Sequence, residues 1–515
     1  MNKKTIYTVL VSAALSMGLS SCSDWLDVRG ENIEKEQDMF AEYKGFTNAM
    51  VGAYMDMASR DIYGEQLTMT YIESIANLWN YSNYGSETYP TLRYFLATHQ
   101  YDKDEPKDVF KSIYAKLFNV VTSANVMLHN AEEKAGSFPS ERQRAVIMGE
   151  CYAMRAYCQL DVLRLFGQMP KNAQKQVKLP YSETYNIEQM PAYYDYASYV
   201  AKLKADIEKA ESLLKDNDPI FDYTFNELNS ATCDDDSWNY RQSRLNYWAV
   251  RGLHARMLMY LGEKSEAAKI AREIIAAKGA DGNALINLSG ASDLAKNYYG
   301  LPSECLFYIS KYDVNTYANN NLVGGNSEYI SSYGRNYFIS LENIAELYAS
   351  LPNATASHNR YINTWNKEAA DNSNRKIATL KKYWYDEKTA TAGTNNSSNT
   401  STLVTKLQII PMIRLSEMYL IAIEGASNVD EANKYYDTYM KSCAMPLHPE
   451  FASMEEANAE ILNEYRREFF GEGQMFFTYK RLGETSILWN KDVMNEDSYI
   501  VPLPATEYDP SNINK

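Results

Sequence analysis

Residues 246–277 read NYWAVRGLHARMLMYLGEKSEAAKIAREIIAA, and they spell a helical hairpin. One helix is expected from about Asn246 to Tyr260, a turn at Leu261-Gly262-Glu263, and a second helix from about Ser265 to Ala277. Ala255, Gly262, Ala267 and Ala271 stand where a tetratricopeptide hairpin places small side chains, so that two helix backbones approach closely. A weaker copy follows at Arg414–Ala426 and Asp430–Met440, with Ala422, Ala426 and Ala432 in the seam. Two unrelated amphipathic hairpins would read the same way singly; the recurrence of helix pairs with small-residue seams favours repeat-like packing.

The rest of the chain extends this pattern. Phe46, Ala49, Met50, Ala53 and Tyr54 share one face of a helix from about Tyr43 to Ala58. Tyr114, Leu117, Val121, Ala124 and Leu128 do so from about Val109 to Glu132. A third helix, about Ser140 to Phe166, stops at Gly167 with Pro170 beyond. Helix returns from about Tyr193 to Leu214. Residues 167–191 and 216–237 read as loops. Residues 280–340 are rich in Asn, Gly, Ser and Tyr, Thr389–Thr402 is a low-complexity surface loop, and Ile500–Pro504 is extended. No strand–helix alternation supports a doubly wound or barrel fold. The expected class is mainly all-α: TPR-like hairpins forming a superhelical scaffold with long irregular loops.

Composition narrows the function. The chain has 515 residues, 45% hydrophobic and 23% charged, as folded chains do. Mean hydropathy is −0.46, and beyond residue 21 no apolar run nears the ~18–20 residues of a membrane helix, which argues against a transporter or channel. Acidic residues number 66 against 51 basic, a net charge of −15 that opposes phosphate backbones and so a nucleic-acid partner. Tyrosine is over-represented, 43 against 16 Phe and 7 Trp. Either many rings keep one edge wet, as at binding surfaces, or Tyr serves as amphipathic packing.

The N-terminus reads as a targeting segment. Lys3 and Lys4 precede an apolar run from Ile6 to Leu19, and Leu19-Ser20-Ser21-Cys22 fits a bacterial lipobox. Cleavage before an acylated Cys22 leaves 494 residues with a net charge of −17. The other cysteines, at 151, 158, 233, 305 and 443, are odd in number and read as small core residues rather than a disulfide frame. The expected organisation is a signal peptide over 1–21 and a single domain over 22–515, in halves 22–240 and 241–515.

A search for chemistry finds little. His99, His129, His254, His358 and His448 have no metal-ligand spacing. There is no P-loop and no nucleophile elbow, and Gly471-Glu472-Gly473 lacks the context of a dinucleotide loop. Asp234-Asp235-Asp236 lacks the spacing of a calcium loop and reads as a solvated turn. No cofactor and no metal are expected. Paired carboxylates keep one enzyme reading open, a helical-barrel glycosidase or lyase.

Separated blocks carry a family resemblance. Cys22-Ser23-Asp24-Trp25-Leu26-Asp27 comes first, then Gly149 to Tyr157 with Arg155-Ala156-Tyr157, then Leu163 to Pro170. Arg251–Leu261, Arg414–Ala422, Arg466–Arg481 and Ile500–Pro504 follow in order. Together they resemble the SusD/RagB family of outer-membrane nutrient-binding lipoproteins. The strongest block, Arg466–Arg481, is similar to the family's Arg-x-x-Glu-Phe-x-x-Glu-Gly helix. Gln474 stands where the family has Arg or Gln, and Thr478 where it commonly has Asp. From the residues alone, Glu417, Arg466, Arg467, Glu468, Glu472 and Arg481 are expected to tie helices together by ion pairs.

The resemblance implies a non-enzymatic, lipid-anchored protein on the cell surface, a lid over a SusC-like TonB-dependent transporter. It would capture a nutrient, usually an oligosaccharide, and pass it inward. Sugar C–H faces stack on rings while hydroxyls pair with amides and charged groups. Suitable residues in loop-rich stretches are Asn77, Trp79, Asn80, Tyr81, Tyr84, Tyr298, Tyr299, Tyr317 and Tyr333. A scaffold that binds only the transporter is the third reading.

Overall fold

The computed structural model describes residues 36–80, 91–186, 189–230, 233–322, 337–370, 375–385 and 406–508. Cys22, Tyr81, Tyr84, Tyr333 and the stretch Thr389–Thr402 lie outside these.

The helical periods translate directly into elements. The longer helices are α1 (Tyr43–Met57), α2 (Asp104–Glu133), α3 (Glu141–Phe166), α4 (Tyr196–Leu214), α5 (Tyr247–Leu261), α6 (Lys264–Ile275), α7 (Val314–Asn321), α8 (Leu415–Glu424), α9 (Val429–Ser442), α10 (Met454–Glu468) and α11 (Met475–Leu482). α1 packs on α2, α2 on α3, α3 on α4, α4 on α5 and α5 on α6. α6 then meets α8, which carries α9 and α10. Each hairpin thus buries its apolar stripe against its neighbours, and the mainly α, TPR-like class stands. Asn246 starts α5 by accepting from the Ala249 amide at 3.0 Å, and Asn428 starts α9 by accepting from Glu431 at 2.9 Å.

α3 is the axis of the N-terminal half. Apart from Tyr152, it is buried from Ala145 through Phe166, so it has no amphipathic stripe to read. Its buried charges are paired. Arg155 bonds Asp206 of α4 at 2.7 Å, Arg164 bonds Asp161 at 2.8 Å, and Glu150 pairs with Arg241. The extended C-terminal stretch lies across its end, where the Val501 amide donates to the Leu165 carbonyl at 3.1 Å.

The structure departs from the sequence reading in several places, among them α7, which falls in a stretch with little helical period. α2 begins at Asp104, five residues before the apolar period sets in. The 216–237 stretch contains the helical turns Pro219–Phe221 and Phe225–Leu228, the second closed by a Thr224–Glu227 capping box. Strand β3 (Cys305–Ser310) pairs antiparallel with β7 (Ile409–Arg414), and both are buried almost throughout. With both faces covered, neither shows the alternation that marks a half-exposed strand. Pro411 has no N–H to give, and it falls where the ladder is irregular, opposite Tyr308. Finally, Arg466–Arg481 is not one helix. α10 stops at Glu468, Gly471 and Gly473 adopt left-handed φ of 78° and 75°, and α11 restarts at Met475. The remaining short strands are β1 (Leu179–Pro180) with β2 (Tyr193–Tyr194), and β6 (Ile377–Leu380) between β4 (Ile339–Ser340) and β5 (Trp365–Asn366).

The charged residues of the Arg466–Arg481 block organise the C-terminal half. Arg414 reaches Glu304 at 2.6 Å and Glu472 at 2.8 Å, and also pairs with Glu468. Arg360 holds Glu468 at 2.6 Å, and Lys382 holds Glu472 at 2.6 Å. Three buried cations thus meet three buried carboxylates, and the charges cancel. Arg256 grips Glu417 with both ends of its fork at 2.7 Å. Arg481 grips Glu424 at 2.6 and 2.8 Å. Arg467 bonds Glu464 at 2.8 Å. Arg466 differs from the expectation: it bonds the Tyr479 hydroxyl at 3.0 Å and Asn463 at 2.9 Å, both neutral.

Candidate functional site

The first cluster of expected site residues follows a short helix, Tyr71–Ile75. Asn77 takes a left-handed φ of 58°, which Asn tolerates better than most residues. Its amide donates to the Ala97 carbonyl at 2.9 Å, tying this segment to helix Leu92–Ala97. Trp79 is only 2% exposed. Its indole N–H donates to Met69 at 2.8 Å, and its ring meets Tyr337 and Phe470 edge-on. Asn77 and Trp79 therefore sit inside the protein and present no ring or amide to solvent. Both side chains anchor the turn that leads to Asn80.

Asn80 is half-buried; its amide donates to Phe338 at 3.0 Å and its carbonyl accepts from Arg93. Around it stand rings and guanidinium groups. Arg93 lies over Tyr337 at 5.6 Å, and Arg60 over Tyr317 at 5.4 Å. Arg60 also bonds Glu65 at 2.6 Å. Burial first, and then the Glu65 carboxylate, push the Tyr71 and Tyr317 phenols above their usual range, while Arg60 and Arg93 pull Tyr71 back. Glu65, Arg60, Tyr71 and Tyr317 thus share one electrostatic neighbourhood, and Tyr71 and Arg93 are half open to solvent. Sequence reading missed Arg60, Tyr71 and Arg93, because only the fold brings them beside Asn80 and Tyr317.

A second cluster gathers at the far side of α7. Tyr299 is 6% exposed and stacks on Trp384 with centroids 6.3 Å apart and planes 23° apart. Tyr298 beside it is half-buried, as is Trp384. The Tyr299 hydroxyl donates to Asn297 at 3.0 Å and accepts from Lys381 at 3.3 Å. The Lys381 ammonium also lies 4.6 Å from the Tyr299 ring centre. Burial, and then the neighbouring Lys367, bring Lys381 down to about 8. α7 joins the two clusters: it supplies Tyr317 to the first, while its Asn315 accepts from the Tyr385 amide, next to Trp384, at 2.9 Å.

Two open clefts complete the surface. One, of about 550 Å³, is lined by amides and hydroxyls, among them Asn226, Gln242, Asn287, Ser289 and Ser303. The other, of about 460 Å³, is more apolar and lies beside Met55 and Tyr312, which are 70% and 71% exposed. Among the described residues no group of three or more His, Cys, Asp or Glu side chains is placed to hold a metal ion. No described helix is long and apolar enough to cross a membrane. Rings with amides, guanidinium groups and ammonium groups at their edges are suited to holding a polar, ring-shaped molecule by stacking and hydrogen bonds.

A mainly helical, TPR-like scaffold is the architecture of SusD-like proteins. Residues 311–512 match the SusD family, and the chain is similar in fold to SusD-like proteins along about nine-tenths of its length. Surface glycan-binding protein A from Bacteroides uniformis is similar in structure with a TM-score of 0.66 and 15% identity, covering 91% of this chain and 98% of that one. A SusD superfamily protein from Bacteroides thetaiotaomicron has a TM-score of 0.65 and 18% identity, with the same coverage. A laminarin-binding SusD-like protein has a TM-score of 0.62 and 15% identity, covering 91% and 97%. No curated protein sequence matches this chain.

Proposed function

We propose that the protein captures a glycan at the cell surface, without chemistry, and delivers it to a SusC-like TonB-dependent transporter in the outer membrane. Acylated Cys22 is its anchor. The observation that supports this best is the fold shared along nine-tenths of the chain with a surface glycan-binding protein and a laminarin-binding one. The two ring clusters, joined by α7, supply a surface of fitting chemistry. Tyr81, Tyr84 and Tyr333 belong to segments that adjoin the first cluster in sequence and extend the proposed site.

The test is calorimetric titration of the mature protein with a panel of oligosaccharides. Trp384→Ala and Tyr71→Ala should each weaken binding about tenfold or more, a loss of ~1.4 kcal/mol, with the thermal transition little changed. Trp79→Ala should instead cost roughly 3–5 kcal/mol of stability, because it empties a packed site. No binding anywhere in the panel would leave only the scaffold reading, and release of sugar products would favour a glycosidase or lyase. A Cys22→Ala variant should lose acyl labelling and membrane association, and the transporter should co-purify with the wild-type protein.

A further inference from the structure

The larger of the two clefts has a one-sided hydrogen-bond character. Asp293, in the short helix Gly290–Leu294, is 2% exposed. It accepts from the Ser289 hydroxyl at 2.8 Å, the Ser303 hydroxyl at 2.8 Å and the Ser303 amide at 2.9 Å. The Ser292 hydroxyl donates to the Ser289 carbonyl at 3.1 Å. Ser289, Ser292 and Ser303 all line the cleft. A hydroxyl has one hydrogen to give, and all three are spent inside the protein. What these serines still offer is oxygen lone pairs.

A relay along the same cleft ends the same way. The Cys305 carbonyl can only accept, and it takes the Gln242 side-chain N–H at 2.6 Å. Gln242 therefore turns its Oε1 to Asn229, whose Nδ2 donates to it at 2.5 Å. That leaves Asn229 Oδ1, in the cleft lining, without a hydrogen-bond partner.

Negative charge lies behind these oxygens. The three donors to Asp293 are neutral. Glu304, which accepts from the Ser289 amide at 3.0 Å, is already paired with Arg414. Among the exposed lining residues, Asp281 and Lys406 offset one another. Acceptors backed by carboxylates repel an anion and favour a ligand that brings donors. The rest of the lining includes Phe225, Leu285, Ile286 and Pro302, apolar groups that suit C–H faces. A volume of about 550 Å³ is that of a small-molecule site.

We propose that this cleft is a second saccharide site, for a sugar without acid groups, whose donors meet these oxygens and whose C–H faces meet the apolar lining. The proposal goes beyond capture at the ring clusters, because no residue that lines the cleft belongs to either of them. A sugar hydroxyl and a protonated amino sugar bring the same kind of donor, so both sources belong in the test.

The experiment is calorimetry on the mature protein with laminarihexaose, mannohexaose, a chitosan hexamer and hexagalacturonate. The wild type is compared with Trp384→Ala and with Ser292→Trp and Asn287→Trp, which fill the cleft from two exposed positions. A neutral or aminated hexamer should bind at about two sites per chain. Each cleft variant should weaken one site about tenfold or more, leave the other within about twofold and keep the wild-type thermal transition, and Trp384→Ala should do the reverse. Hexagalacturonate should not occupy the site that the cleft variants remove. Whether the hydroxylated or the aminated sugar binds the cleft more tightly identifies the donor. If binding responds to Trp384→Ala and to neither cleft variant, or hexagalacturonate holds the cleft as tightly as the other sugars, this proposal falls while capture at the ring clusters stands. If it responds to the cleft variants alone, the cleft stands and the ring clusters fall. If no hexamer binds, both fall.

Discussion

Glu424 shows how one buried carboxylate is held in this scaffold. Burial alone would raise its proton affinity, but Arg481 and Lys264 outweigh it and hold it at about 2. The folded carboxyl is more acidic than the unfolded one. Its stabilisation is therefore complete above about pH 5 and is withdrawn as pH falls towards about 2. Glu424→Gln should destabilise the protein by about 3 kcal/mol at pH 7, and the difference should close in acid, as urea unfolding across pH would report. Arg414 makes the complementary case. Arg414→Met leaves Glu304, Glu468 and Glu472 with too little positive charge, and should cost roughly 3–5 kcal/mol by the same measurement. These partners were legible only as types. The Arg and Glu residues of the Arg466–Arg481 block announce ion pairs, but Glu304, Arg360 and Lys382 join them from short helical turns and a loop far away in sequence.

The helical elements were legible and the short strands were not. α1, α3, α5 and α6 match their periodic stretches to within a residue or two, because apolar side chains at helical spacing must share a face. β3 and β7 escaped because burial on both faces erases alternation. The break between α10 and α11 was visible as Gly471 and Gly473, yet the acidic and basic residues on either side read as a continuous helix. Gly473 and Gly483 separate two effects of such turns. Both have left-handed φ, 75° and 71°. A Cβ on Gly473 would lie 2.0 Å from the Leu67 carbonyl oxygen, whereas one on Gly483 meets nothing within 4 Å. Gly483→Ala should cost about 1 kcal/mol of backbone strain, and Gly473→Ala several times that, read as the difference in denaturant midpoint. Lys480 illustrates a contact that no local pattern announces: from α11 it donates to the Arg164 and Gly167 carbonyls at 2.9 and 2.7 Å, at the negative end of α3.

At the scale of the molecule, tyrosine occurs both fully buried and half open. Tyr199, Tyr383, Tyr439 and Tyr479 are buried. Their hydroxyls are satisfied inside, as in the Tyr199 bond to Gln159 at 2.8 Å and the Tyr439 bond to Glu468 at 2.8 Å. Others, such as Tyr71 and Tyr298, stay half open. The five described cysteines are free thiols, four of them buried. The folded state should therefore have the same melting temperature with and without reductant in a calorimetric scan. A shift of several degrees would reveal a bridge.

Apolar spacing, small-residue seams and ordered sequence blocks by themselves determined a helical, TPR-like scaffold and its likeness to SusD/RagB proteins, because such signals are local and each helix carries its own. Which rings face outward was decided only in three dimensions. Trp79 and Trp384 look alike in sequence; one is enclosed by Tyr337 and Phe470, and the other is left half open beside Lys381. Burial is a property of what packs against a residue, and those neighbours arrive from hundreds of positions away.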